Sequence, residues 1–179
     1  MKTIAVPTRE QVSPEAQLIF DSIQKGMGKV PNLYATIGYS ATALKAFLDF
    51  SEAFNKSAFT PKEREAIYLV VSEVNNCNYC LSAHTLMATM KGFTKDDTIA
   101  FRKGVSTDKR INTIIQLAKS LAENKGKADE AVLQNFFDEG FDETALMDLI
   151  GLVTLRTFTN YVYANTQIPV DFPAYEPLV

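Results

Sequence analysis

The only two cysteines of this 179-residue chain stand three positions apart, at Cys77 and Cys80, and its only histidine, His84, follows one helical turn later. At about 100° per residue, the three side chains would fall within an arc of about 60° on one helix, so all of them could address a single small pocket. The chemistry such a cluster allows is that of the thiolate. A free thiol with a pKa near ~8.5 comes down to roughly 3.5 to 7.5 at a helix N-terminus or beside an imidazolium. The spacing predicts both cysteines in the first turn of a helix from Cys77 to about Lys91, where unpaired N–H groups favour negative charge. His84, at i+4 from Cys80, is spaced to accept or return its proton. Two thiols on one turn can also close a disulfide, one attacking an oxidant and the other resolving the resulting sulfenic acid.

Two other readings compete with this one. The cysteines could be small core residues and His84 a hydrogen-bonded helical side chain. Zinc is the chemical rival, with Cys77, Cys80 and His84 as three ligands and a carboxylate as the fourth. Structural zinc sites, however, generally clamp separated segments, and a chain of this length can bury a core without metal. The reading therefore calls for no metal and no cofactor.

Two further residues belong to the candidate site. Glu65 lies in the second turn of the preceding helix, on the face that carries Leu69 and Ser72. If it is buried beside the thiols, desolvation would raise its pKa towards the range of a general base; if not, it is one charge of the solvated run Lys62-Glu63-Arg64-Glu65. Tyr79, between the cysteines, could offer its hydroxyl to the same pocket or simply pack. Glu73 sits just before the asparagine break, and nothing aims it at the thiols.

The elements that must position these side chains are helices from end to end, with no convincing alternation for a strand, so the fold class is all-α. Ser13-Pro14 reads as an N-cap and first helical position, followed by Ala16, Ile19, Phe20 and Ile23 and interrupted by Gly26 and Gly28. A loop follows to Asn32, and a second helix runs from near Ser40 to near Lys56. Thr60-Pro61-Lys62-Glu63 has the capping-box pattern for a helix through Val74, whose apolar residues cover most of its circumference and predict a central buried element. Asn75-Asn76 breaks that helix and can cap the next, which Gly92 ends. Helices are then expected from Thr94–Asp97 to about Gly104, from about Asp108 to Asn124, from Asp129 to Glu139 and from Glu143 to Tyr163. From Thr166, Pro169, Pro173 and Pro177 predict an extended tail. With no linker or repeat, residues 1–179 read as one domain.

Composition narrows the function classes. A formal charge of −3 gives no electrostatic footprint for nucleic acid. The segment MKTIAVPTREQVSPE lacks the apolar stretch of a secretion signal, and no window approaches a membrane span, so a cytoplasmic protein is expected. In a reducing compartment a CxxC pair points to catalysis, redox sensing or metal rather than to a permanent staple.

Taken together, Glu65, eleven intervening residues, and then Cys77-Asn78-Tyr79-Cys80-Leu81-Ser82-Ala83-His84 resemble the AhpD-like alkylhydroperoxidase group of the carboxymuconolactone decarboxylase family. The match is close over about residues 40–110. The ending Asn160 to Tyr175, with Ile168-Pro169-Val170-Asp171-Phe172-Pro173, is similar to the uncharacterised peroxidase-related branch. The resemblance implies an AhpD-like helical domain whose central helix pair carries the motif, homo-oligomeric assembly, and reduction of peroxides by thiols at the cost of an external thiol or protein reductant. It implies that Glu65 is the motif glutamate, Cys77 and Cys80 the redox cysteines and His84 the proton relay, with Cys80 reacting with peroxide and Cys77 resolving. The family's best-known members can carry a histidine between the cysteines, where this chain has Tyr79. Its true decarboxylases work without a CxxC, which makes that activity the weaker alternative. A redox sensor that uses the same disulfide without turnover is the other.

Overall fold

The computed structural model describes residues 3–175 together with Pro177 and Leu178; the outermost ends of the expected domain, including Glu176 of the tail, lie outside the described residues. Nine α-helices and two short 3-10 turns, Arg9–Gln11 and Phe54–Lys56, make up the described residues, which contain no strand. The helices are α1 (Pro14–Met27), α2 (Asn32–Ile37), α3 (Ala41–Ala53), α4 (Pro61–Val74), α5 (Asn78–Met90), α6 (Lys95–Lys103), α7 (Lys109–Glu123), α8 (Glu130–Asp138) and α9 (Glu143–Thr166). None of them is long and apolar enough to cross a membrane.

Side-chain caps set most of the starts. The Ser13 hydroxyl accepts from the Ala16 N–H, and Pro14 fills the first helical position of α1. At α4 the Thr60 hydroxyl accepts from the Glu63 N–H while the Glu63 carboxylate accepts from the Thr60 N–H at 2.7 Å, a reciprocal capping box. Asp108 and Asp142 cap α7 and α9 in the same one-sided way as Ser13.

The chain packs around α4, which contacts α5, α6, α7 and α9. Every residue from Glu65 to Ser72 is buried, so this helix has no solvent face through its middle two turns. Two cores flank it. One joins Leu69 of α4 to Ile114 and Leu117 of α7, Phe136 of α8, and Leu149 and Leu152 of α9. The other gathers Phe20, Leu33, Leu44 and Phe47 from α1 to α3, Leu155 and Tyr163 from the C-terminal half of α9, and Cys77, Tyr79 and Cys80. The dithiol thus belongs to the second core.

Three boundaries differ from expectation. α2 falls between the loop expected to end at Asn32 and the helix expected from near Ser40, a stretch with no assigned element, because six residues are too few to display a helical period. The expected second helix gives way to a 3-10 turn at Phe54. α9 continues to Thr166, three residues past Tyr163, and ends where Gln167 takes a left-handed conformation at φ 49°.

Candidate active site

The turn between α4 and α5 fixes the cysteines. Asn75 caps α4, Asn76 adopts the left-handed conformation at φ 52°, and the Cys77 N–H returns to the Ser72 carbonyl at 2.9 Å. Asparagine tolerates that backbone better than other residues with a side chain. Cys77 is therefore the N-cap of α5 rather than a residue of its first turn, and the asparagines end α4 without capping α5. The Cys77 sulfur takes the capping role, accepting from the Cys80 N–H at 3.3 Å. Cys77 and Cys80 are joined by a disulfide, with Cα atoms 5.3 Å apart.

A cavity of about 230 Å³ opens on one side of this pair. Cys80, Glu65, His84 and Tyr79 all contribute to its wall, whereas Cys77 does not. Four of the five residues singled out from sequence are thus brought to one pocket, and the two sulfurs are inequivalent. Apolar groups such as Leu33, Met87 and Phe172 complete the lining.

Glu65 and His84 form a buried pair, with Glu65 Oε2 2.6 Å from His84 Nδ1, and the second carboxylate oxygen accepts from Lys91 Nζ at 2.9 Å. Burial pushes the Glu65 pKa up, as expected, but His84 and Lys91 outweigh it and hold the carboxyl far below the usual range. This corrects the expectation of a raised, base-like Glu65. Burial also pushes His84 down, helped by the Arg156 charge and opposed by Glu65. An ionised carboxylate can only accept, so Nδ1 donates to it and Nε2 of the neutral ring keeps a free lone pair. The free Nε2 of His84 is able to accept a proton, and the Glu65 carboxylate fixes the orientation of the ring.

Tyr79 both lines the cavity and ties the tail down. Its hydroxyl donates to Asp171 Oδ1 at 2.5 Å and accepts from the Leu33 N–H at 3.2 Å. Burial, with Asp171 beside it, pushes the phenol pKa up, so it stays protonated. Lys29 pairs with Asp171 at 2.9 Å, and the Phe172 ring packs edge-on against Tyr79. At the position between the cysteines, this chain has an anchor for its C-terminal segment.

Sequence reasoning missed Lys91, Tyr68, Arg156 and Thr159. Arg156, only 7 % exposed, stacks over the Tyr68 ring at 4.2 Å and donates from Nη1 to the Thr159 hydroxyl at 3.2 Å. Thr159 Oγ1 lies 3.9 Å from the Cys80 sulfur. One signal was available: Arg156 is the lone charge in the otherwise apolar or small run from Leu149 to Phe158. Tyr68, its ring 5.0 Å from that of His84, gave no comparable sign.

Residues 41–119, from the start of α3 into α7, match the model of the carboxymuconolactone decarboxylase family. Comparison with curated protein sequences gives no match. Among solved structures, an uncharacterized peroxidase-related protein from Silicibacter sp. TM1040 is 23% identical with a TM-score of 0.79, over 94% of this chain and 92% of that one. The alkylhydroperoxidase AhpD core of an uncharacterized peroxidase-related protein from Ralstonia eutropha JMP134 superposes with a TM-score of 0.81 at 18% identity, over 96% and 94%. The debrominase Bmp8 superposes with a TM-score of 0.78 at 16% identity, over 96% of this chain and 93% of that one. At these identities the structures speak for the fold, and the family model speaks for the segment that holds Glu65, Cys77, Cys80 and His84. Residues 41–119 are thus similar to the carboxymuconolactone decarboxylase family, and the chain has the AhpD-like all-α fold.

Proposed function

We propose that this protein is a dithiol peroxidase that reduces hydrogen peroxide or an organic hydroperoxide through Cys80 and Cys77. The observation that carries the reading is the placement of Cys80, and not Cys77, in the wall of a cavity shared with the Glu65–His84 pair. In the reduced protein the Cys80 thiolate attacks the terminal peroxide oxygen, the O–O bond breaks, and Cys80 becomes a sulfenic acid. The departing alkoxide or hydroxide takes a proton relayed from solvent through the His84 ring. Cys77 then attacks the sulfenic sulfur, releasing water and forming the disulfide. An external dithiol, small or protein-borne, returns two electrons and two protons to complete the cycle.

The proposal extends to setting and assembly. A reducing, cytoplasmic environment suits a disulfide that must be reopened, and neither nucleic acid nor a membrane is a partner. Homo-oligomerisation is proposed through α9, where Met147, Ile150, Phe158 and Tyr161 are 58%, 38%, 38% and 61% exposed at helical spacing. Sedimentation of the purified chain measures the assembly.

The function is tested by following hydrogen peroxide and cumene hydroperoxide consumption with dithiothreitol as donor, and by mapping the oxidised peptide by mass spectrometry. Catalytic turnover with loss of two hydrogens across Cys77 and Cys80 is the expected result. Disulfide formation without turnover with any dithiol donor would instead make the protein a redox sensor. Stoichiometric zinc protecting both thiols would replace both readings.

A further inference from the structure

We propose that Arg156, held by Thr159, is the built-in counter-ion of the Cys80 thiolate. The inference rests on the reading of Cys80 as the reactive thiol and names a positioning pair on α9 that supports it.

The argument begins with an imbalance. Burying a guanidinium is costly unless a carboxylate or dense hydrogen bonding compensates it. Arg156 has no ion-pair partner among the described residues, and its Nε, fully enclosed, has no hydrogen-bond partner. Its neighbours are the Thr159 hydroxyl and Tyr68, through ring face and hydroxyl, with the Glu65 charge acting on it only through space, outweighed by burial.

The other charged groups of the cavity are already engaged. Lys91 is paired with Glu65 at 2.9 Å. Arg64 donates to the carbonyls of Phe54 and Phe59 and to the Asn55 side chain. Glu65 is ionised and shared between Lys91 and His84, whose ring is neutral. Tyr34 and Tyr68 have their pKa values raised by burial, as Tyr79 does, so none of the three phenols supplies an anion near neutral pH. Asp171, beyond Tyr79, is paired with Lys29.

Reduction supplies the missing anion. When an external dithiol opens the disulfide, two electrons enter, one proton stays on Cys77, and the other leaves to solvent if Cys80 remains a thiolate. That sulfur sits beside the Thr159 hydroxyl, which also accepts from Arg156. Thr159 at present donates to the Arg156 carbonyl at 2.8 Å, and rotating the hydroxyl lets it donate to the thiolate instead. An adjacent cation and a hydrogen bond to the charged form both lower a thiol pKa. The charge that is unbalanced in the disulfide form is balanced in the reduced form.

The test titrates Cys80 by thiolate absorbance near 240 nm in the Cys77→Ser background, without peroxide. Arg156→Met is expected to raise the Cys80 pKa by about one unit or more, a tenfold loss of thiolate on the titrating limb. Arg156→Lys should restore most of it, and Thr159→Val should give a smaller rise. Thermal melting of each variant reports whether it folds. If Arg156→Met does not fold, the comparison of Thr159→Val with its Cys77→Ser parent decides. Identical titrations for the charged and uncharged variants, or for Thr159→Val and its parent where only that comparison is possible, overturn the proposal. Because no oxidant is involved, a shifted pKa in a protein that fails to consume peroxide removes the peroxidase reading and leaves this one standing.

Discussion

Two helices each bury one arginine against α4, and the two are treated differently. Arg102 of α6, 4 % exposed, bonds the Glu73 carboxylate through Nε at 2.6 Å and stacks on Tyr175. Arg156 of α9 has an aromatic face too, but a hydroxyl where Arg102 has a carboxylate. Glu73 and Glu65 sit on the same helix, eight residues apart, and divide the same way: the first neutralises an arginine, the second orients a histidine beside the disulfide. A cation matched by a carboxylate fastens helices together. A cation left with a neutral partner lies instead on the wall of the cavity that Cys80 also lines.

The largest contrast should appear in turnover. His84→Ala and Glu65→Gln are each expected to slow peroxide reduction by roughly 10² to 10⁴-fold, the usual worth of general acid–base assistance. The double variant should lose far less than the product, because the two act as one unit. Glu73→Gln should leave steady-state turnover within about twofold. Equal losses from Glu65→Gln and Glu73→Gln would erase the distinction.

Stability should reverse the ranking. Arg102→Met leaves the partly exposed Glu73 carboxylate without its guanidinium and should cost about 1 to 3 kcal/mol. Arg156→Met strands no carboxylate, replaces a buried charge by an apolar group, and should change stability by about 1 kcal/mol or less. Urea denaturation of the oxidised protein measures both.

A smaller effect follows from pH. Folded His84 has a pKa below its ordinary value, so the unfolded chain takes up that proton first. Its contribution is complete above about pH 6.5 and is lost as pH falls below it. Glu65, depressed when folded, contributes fully above about pH 4.3 and loses that contribution as pH falls further. The melting temperature should therefore drop from pH 7.5 to pH 5, and His84→Gln should flatten that slope.

Much of this arrangement was legible in the sequence because it is local. Thr60-Pro61 and Glu63 announced the start of α4, and fixed offsets along α4 and α5 linked Glu65, Cys80 and His84. What escaped was set by chain segments far apart: Asp171 reaches Tyr79 across 92 positions, and Thr159 reaches Cys80 across 79. The direction of the Glu65 shift escaped for the same kind of reason. Burial could be anticipated from the apolar helix, but the Lys91 contact that overrides it depends on how the end of α5 packs over α4.

The central claim, that the cavity-facing sulfur is the one that meets peroxide, is tested most directly by trapping sulfenic acid. Reduced Cys77→Ser and Cys80→Ser proteins are treated with one equivalent of hydrogen peroxide and a dimedone-type reagent, and the adduct is located by mass spectrometry. The account predicts an adduct at Cys80 in Cys77→Ser and none in Cys80→Ser. An adduct found only at Cys77 would contradict it.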